Sequence, residues 1–382
     1  MGISKHIKQL YSWMIAMPSR LNDRILFSRT KRTAAVFLKR FPQPELSMAD
    51  KEEIDRFWKH YGIRFTDHKW FQMYYGVTGI HDPSFIPDSI ARFALFKHYN
   101  DFQSIPGWDD KNLYEIFLPD TRFPVTLAHI YNNAIYDKDW RYHSLDHLQA
   151  LSESIYSQLG GNKEFVVKVS KGSYAGQGVR LFHVDSPSDV ERILRENIGG
   201  NFIVQERLNQ SKFMSQFCST SVNIFRVITW RHQGDIKVLS TSIRFGLEGY
   251  FTDVCFIDGE EIVNVVGVQK DGTVKKKYGS FRGLNNITVN LTEDKAPNFD
   301  AVISMAREGH KKLYPFDIVG WDITLDSDNN PVCIEYNVRT PGTILYQYAN
   351  GPFGGEYTSE LLEFLLDEKN RRKYIPKKYL ID

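Results

Sequence analysis

Residues 319–337 constrain this chain more than any other stretch. Val319-Gly320-Trp321-Asp322-Ile323-Thr324-Leu325 is a β-like run with one acid, and Pro331-Val332-Cys333-Ile334-Glu335-Tyr336-Asn337 is a second with Glu335 and Asn337 as its polar members. The five residues between them are Asp, Ser, Asp, Asn and Asn, the composition a turn demands. The pattern predicts two strands joined by that turn. Side chains alternate faces along a strand, so Glu335 and Asn337 share one, and pairing sets Asp322 beside them. A lone carboxylate in an apolar strand pair is costly. A cation relieves the cost: Asp322, Glu335 and Asn337 form an oxygen-only set that suits Mg2+, which takes one or two carboxylates and completes its shell with water and phosphate. A surface or edge position is the plainer alternative for any one of these acids.

The rest of the composition narrows the class. With 382 residues, 42% hydrophobic and 25% charged, the chain is ordinary globular protein of two or three domains, or one elaborated domain. A net charge of +2 exerts no strong pull on nucleic acid, and no nucleic-acid partner is expected. Cys218, Cys255 and Cys333 are widely spaced, as suits reduced thiols in a cytosolic protein. No apolar run is long enough to span a bilayer. Lys5 and Lys8 precede a short apolar run at 10–17 that Pro18 and Arg20 interrupt, so the signal-peptide pattern is incomplete; His6 departs from the myristoylation pattern. A basic amphipathic helix here would touch a membrane only peripherally, and a packed or frayed helix is the alternative. The expected location is cytoplasmic, with the inner membrane surface as its closest approach to a bilayer.

Along the chain, residues 48–75 have helical periodicity, Pro87-Asp88 opens another helix, and 106–110 forms a boundary. His143 and His147 are spaced for one helix face; metal binding there is weighed against surface or packed histidines. The second strong signal is at 164–184: a strand with Lys168 in it, the loop Ser170-Lys171-Gly172-Ser173-Tyr174-Ala175-Gly176-Gln177-Gly178, and a returning strand. Glycines let backbone amides approach phosphate oxygens, and Lys168 can reach the same oxygens. The loop is neither a Walker A nor a dinucleotide motif; a plain turn is the alternative. A helix at 186–197 and a strand at 201–208 follow. Another strand, 221–230, carries Arg226 among apolar residues. That guanidinium needs an anion, from a phosphate, a substrate carboxylate or a structural salt bridge. Arg244 is a weaker case of the same kind.

Taken in order, Lys111, the Lys168 strand, the Gly176/Gly178 loop, the 203–208 strand, Arg226, Asp322 and Glu335-x-Asn337 resemble the ATP-grasp superfamily over residues 105–350. Pro87-Asp88, Asp110-Lys111-Asn112, the run 221–226, the run 318–322 and Glu335-Tyr336-Asn337 with Pro341-Gly342 are similar to its sugar-transfer-associated group, which is linked to bacterial capsule and exopolysaccharide biosynthesis. The resemblance implies an α+β ATP-grasp fold, two α+β lobes clasping ATP, with a helical N-terminal extension. The segments expected are a helical region at 1–105, a linker subdomain at 106–160, a small lobe with the flap at 161–215, a large lobe with the Mg2+ site at 216–365 and a tail at 366–382. It implies that Lys111 and Lys168 contact phosphates and that Ser173, Gly176, Gln177 and Gly178 cover them. Gln205, Glu206 and Leu208 would border adenine, and Gln210 would approach the ribose. Asp322, Glu335 and Asn337 would hold one or two Mg2+. The catalytic residues it points to are Lys168, Arg226 at the transferring phosphoryl group, and Arg339 at the acceptor carboxylate or acyl phosphate. The segment 250–270 lacks the Asn-Gly-Gly-like run of the group, which leaves the acceptor open.

The activity implied is a carboxylate–amine ligase that makes an acyl phosphate on a sugar acid or related acid. Its partners would be ATP, an anionic small-molecule or saccharide acceptor, and an amine. A kinase on the same fold, a glycosyltransferase using Asp326-Ser327-Asp328, and a noncatalytic ATP-binding protein are the other classes. Tyr336, Tyr346 and Tyr348 are candidate faces for a sugar ring, with core packing as the alternative.

Overall fold

The computed structural model of the chain describes residues 19–161, 163–173, 176, 178–257, 260–280, 287–288 and 291–381. The apolar run at 10–17 and Gln177 lie outside these residues. The chain divides into two compact units, one made of residues up to Tyr99 with those from Thr343 onward, the other of Asn100–Gly342.

The first unit is helical. Helices α1 (Ser19–Arg40), α2 (Met48–His60) and α3 (Lys69–Thr78) are followed by short helical turns. Ser47 caps α2: its Oγ accepts from Asp50 N–H at 3.0 Å, and the Asp50 carboxylate accepts from Ser47 N–H at 3.1 Å, which satisfies two otherwise orphaned donors. The continuous helix expected over 48–75 is broken, because the chain leaves α2 at Tyr61 and turns before α3. The later segment Ile344–Asn350 is tied back by Gln347. Its Oε1 accepts from Ile86 N–H at 2.8 Å and its Nε2 donates to Ile86 O at 2.9 Å.

Among the described residues, the second unit contains two large antiparallel sheets and a separate two-stranded one. The strands are β1 (Thr126–Asn132), β2 (Ala134–Asp137), β3 (Tyr142–His143), β4 (Glu164–Val169), β5 (Val179–His183) and β6 (Gly200–Glu206), then β7 (Ile224–His232), β8 (Asp235–Phe245), β9 (Cys255–Ile257), β10 (Glu260–Ile262), β11 (Asn264–Val268), β12 (Val274–Ser280), β13 (Ile287–Thr288), β14 (Ile318–Leu325) and β15 (Pro331–Asn337). The first sheet runs β3-β2-β1-β6-β4-β5 and the second β13-β12-β11-β8-β7-β14-β15. On the first sheet α4 (Leu148–Gln158) and α5 (Pro187–Glu196) contribute Leu151, Ile155, Val190 and Leu194 to a core with Ala128, Ile130, Val167 and Val204. On the second, α6 (Phe299–Lys312) sets Val302 and Ala306 against Phe225, Trp321 and Ile323. Helices laid on antiparallel sheets make the α+β class that the resemblance implies.

Two local readings resolve here. His143 lies on β3 beside Asp137 (3.3 Å), whereas His147 precedes α4 and bonds Ser144 (2.9 Å); they do not share a helix face, so the two-histidine metal reading fails. Asp326 is a turn residue, its Oδ1 accepting from Asp328 N–H and Asn330 N–H at 2.9 Å each.

One side chain staples the two strands that carry the acids. Asn100 Nδ2 donates to Ile318 O (2.7 Å) and Val338 O (2.5 Å), and its Oδ1 accepts from Asp317 N–H (3.0 Å) and Ile318 N–H (2.9 Å). It is buried, so Asn100→Ala leaves several backbone groups unpaired, at a cost of about 2–4 kcal/mol. Urea unfolding checks this; an unchanged midpoint would refute the staple.

Candidate functional site

The site starts from strand register. Asp322 on β14 lies directly opposite Arg226 on β7 and Glu335 on β15, so the three side chains form one cross-strand row. The pairing shifts between Asp322 and Ile323, which leaves Ile334 as an extra residue in β15. Such a bulge re-aims neighbouring side chains, and both Ile334 and Glu335 face the cleft between the two sheets.

Arg226 grips Asp322 with two bonds, Nε–Oδ1 at 2.5 Å and Nη2–Oδ2 at 2.9 Å, while Nη1 donates to Pro341 O at 2.6 Å. The anion that Arg226 required is therefore Asp322. Arg244 Nη2 lies 3.5 Å from the same carboxylate and 2.5 Å from Asp253. Asn337 Nδ2 donates to Asp322 Oδ2 (3.3 Å) and Glu335 Oε1 (3.5 Å). Glu335 also meets Lys111 Nζ at 3.3 Å. Its side chain keeps 27% exposure, against 2% for Asp322, so Glu335 is the acid within reach of a ligand.

The other wall is the β4–β5 hairpin. Lys168 on β4 donates to Gln205 Oε1 at 2.9 Å, and Gln205 Nε2 donates in turn to Pro124 O at 3.2 Å. The loop folds over on glycines at left-handed φ. Gly178 (φ +77°) has Val169 Cγ2 only 2.5 Å from where a Cβ would sit, and Gly176 (φ +70°) comes within 3.2 Å of Thr252 in the same sense; neither place accommodates a side chain without movement. Lys111 Nζ donates to Ser173 Oγ at 3.3 Å, joining the loop to the acid row.

Burial sets the charges. It pushes the Lys168 ammonium down to about 8, with Glu335 opposing. Burial raises the Asp322 carboxyl against the pull of Arg226 and Arg244. For Glu335 the same burial is outweighed by Lys111, Arg244 and Arg226, and the carboxyl is held below the usual range. Burial also lifts Asp109, in the field of Lys111, Glu335 and Arg339, to about 6. An Asp-Asp-Lys run that reads as a helix start gave no sign of this. Asp253 was missed as well, since nothing local marks it as the partner of Arg244.

Of the residues named from sequence, Lys111, Lys168, Ser173, Gly176, Glu206, Leu208, Asp322 and Glu335 converge on the cleft. Gln205, Gly178, Arg226 and Asn337 stand behind these and hold them through the contacts above. Gln210 is occupied elsewhere: its Nε2 donates to Ser221 O (2.7 Å) and Cys218 O (3.2 Å), and its Oε1 accepts from Asn223 N–H (2.9 Å). Arg339 lies over the Phe102 ring at 5.7 Å, its Nε buried without a hydrogen-bond partner. Tyr336, Tyr346 and Tyr348 are core residues and offer no sugar face.

The cleft's charge bears on a metal. Lys111, Lys168, Arg226 and Arg244 balance Glu206, Asp253, Asp322 and Glu335, so a polyphosphate would bring uncompensated negative charge. Among the described residues no three His, Cys, Asp or Glu side chains gather as a metal cage. Glu335 supplies a carboxylate at the cleft and Asn337, hydrogen-bonded behind it, an amide oxygen, which fits Mg2+ that keeps phosphate and water ligands; Asp322 also lines the cleft, but its oxygens are taken by arginine.

Residues 91–354 match a family model of the ATP-grasp class, and the chain belongs to the family described as sugar-transfer associated ATP-grasp. Among solved structures it is similar to the VanG D-Ala:D-Ser ligase of Enterococcus faecalis (12% identity, 70% of this chain and 62% of that one, TM-score 0.40). It is also similar to the D-alanine–D-alanine ligase of Bacillus anthracis (16%, 69% and 67%, 0.36) and to the ADP complex of N5-carboxyaminoimidazole ribonucleotide synthetase (12%, 61% and 45%, 0.36). The chain thus spans under half the length of that synthetase. No curated protein matches the sequence.

The acid row makes opposite predictions for its two carboxylates. Asp322→Ala removes the carboxylate that compensates the buried Arg226 charge and should cost about 3–5 kcal/mol. Glu335→Gln keeps a hydrogen-bonding side chain at a partly exposed position and should cost far less. Denaturant unfolding of both variants checks the contrast; equal losses would refute it.

Proposed function

We propose that the chain is an ATP-dependent carboxylate–amine ligase acting on a sugar acid or related acid in capsule or exopolysaccharide biosynthesis. The observation that carries this reading is Lys111 bridging Glu335 and Ser173, which joins a glycine flap to an acid row across one cleft. In this reading Lys111 and Lys168 bind phosphate oxygens beneath Ser173, Gly176, Gln177 and Gly178, while Glu206 and Leu208 border the adenine. Gln205 orients Lys168. Gln210 shapes the loop that leads into β7 instead of touching ribose. Glu335 and Asn337 would hold Mg2+, with Asp322 in its field, and the ion when bound would neutralise phosphate charge.

An acceptor carboxylate oxygen attacks the γ-phosphorus, the bond to ADP breaks, and an acyl phosphate forms. An amine then attacks the acyl carbon, phosphate leaves, and the amine loses a proton. Phosphoryl transfer asks the protein chiefly for alignment and charge compensation, which fixed lysines supply. Arg339 is the residue for the acceptor carboxylate: its Nε–H lacks a protein acceptor, and a carboxylate can supply one. Arg226, held by Asp322 and Pro341, acts by fixing the row. ATP as substrate and the absence among the described residues of any helix long and apolar enough to cross a membrane are compatible with work in the cytoplasm or at the inner membrane surface.

Three outcomes test the reading. ADP and phosphate release should require both an acid and an amine; a stable phosphorylated product from one substrate would make the protein a kinase. Glu335→Gln should abolish turnover while the fold persists; turnover at ordinary Mg2+ would remove Glu335 from the site. Because Lys168 loses its proton near pH 8 in the free protein, the Kd for MgATP should rise as pH climbs through that value. In Lys168→Met that rise should vanish, as calorimetric titration across pH 7–10 would register.

A further inference from the structure

The sheet that carries Lys168 continues beyond the cleft. Lys168 on β4 pairs with Ile203 on β6, Ile203 with His129 on β1, His129 with Tyr136 on β2, and Tyr136 with Tyr142 on β3. Directly paired residues project to the same face, so these five side chains form one row across the sheet. It runs from the cleft lysine to the far edge. The opposite face is the one α4 and α5 cover through Ala128, Ile130, Val167 and Val204.

The outer part of this row is an aromatic shelf. Trp140 stacks on His129 with ring centroids 4.0 Å apart and planes at 11°. Tyr131 and Tyr136 lie 5.9 and 5.8 Å from the indole, and Tyr142 lies 6.1 Å from Tyr136. Tyr142 is 62% exposed, and Tyr131, Tyr136 and Trp140 are half-buried. Trp140 sits at φ +63° in the turn between β2 and β3, where its N–H donates to Asp137 O at 3.1 Å; the turn sets the left-handed backbone and aims the indole at His129. The shelf is fastened to the phosphate wall. The Tyr131 hydroxyl donates to Asp110, His129 Nδ1 bonds Asn112 Oδ1 at 2.9 Å, and Lys111 between them is the cleft lysine.

We infer that this shelf binds the sugar rings of a saccharide whose reacting end enters the cleft. The inference rests on the ligase reading and adds the subsite that holds the remote part of the substrate. Of the nearby acids, Asp110 is matched by Lys171 (3.2 Å) and Asp139 by Lys138 (3.0 Å), and Asp137 faces His143 (3.3 Å), so no excess of positive charge selects a polyanion. Flat rings with hydroxyls at their edges, and the Lys171 ammonium 4.9 Å over Tyr131, suit a ligand with apolar ring faces and a hydroxylated rim. Four half-covered rings offer about 400 Å², half of what each partner of a stable protein complex contributes.

The test uses the full chain and tetrasaccharide probes: maltotetraose, chitotetraose, tetragalacturonate and a hyaluronan tetrasaccharide. Binding is read by tryptophan fluorescence and saturation-transfer NMR, with MgATP affinity measured alongside. At least one probe should bind at millimolar concentration or below. Tyr142→Ala and Trp140→Ala should weaken it at least tenfold with MgATP affinity unchanged, and Trp140→Phe should restore most of the loss. Tyr142 is exposed enough that its variant should fold, as circular dichroism would verify. No probe binding, binding indifferent to both alanine variants, or self-association that Tyr142→Ala abolishes would each overturn the shelf while leaving the ligase reading intact. Failure of the unaltered chain to bind MgATP would overturn the ligase reading instead.

Discussion

The buried pairing of Arg226 with Asp322 is the interaction on which the site depends. Two charges taken out of water repay the cost only with close geometry and full hydrogen bonding, and here one guanidinium spends three donors on a carboxylate and a carbonyl. The pair locks β7 to β14 at one register. A slip of one residue would send both charges to the opposite face, into the core under α6. The same register sets Glu335 beside Asp322, so the position of the accessible acid follows from that of the hidden one.

This division of labour changes how the acids are understood. From sequence, Asp322 and Glu335 look equivalent. In the fold one is a structural anion neutralised by arginine, and the other faces the cleft, hydrogen-bonded by Asn337, paired with Lys111 and in the field of Arg226 and Arg244. Lys168 has a similar asymmetry with Lys111: it is hydrogen-bonded to a neutral amide rather than an acid, so burial lowers its proton affinity and its charge is poorly compensated until an anion arrives.

Legibility followed distance along the chain. The hairpin that became β14 and β15, the glycine loop between β4 and β5 and the helix at 187–196 were readable because periodicity and turn chemistry are local signals. The ordered motifs made the family readable too. What failed was pairing at long range: the partner of Arg226 is 96 residues away, and neither Asp253 nor the raised Asp109 has any local mark. The shelf of Tyr131, Tyr136, Trp140 and Tyr142 was missed because β2 and β3 are too short to show a period. Tyr336, Tyr346 and Tyr348 were offered as sugar faces, yet their strand and helix bury them. Gln210, equally polar, was spent on backbone groups.

The closeness of Gly176 to Thr252 has a kinetic meaning. The flap meets the opposite sheet's loop at a point where one partner has no side chain, so closure there buries little surface and interlocks nothing. On the proposed ligase reading, a lid seated this lightly would lift at small cost, favouring rapid exchange of spent nucleotide and leaving residence time to the phosphate contacts proposed beneath it. Bulk at this joint would act as a wedge, trading speed of exchange for a lid that never fully shuts.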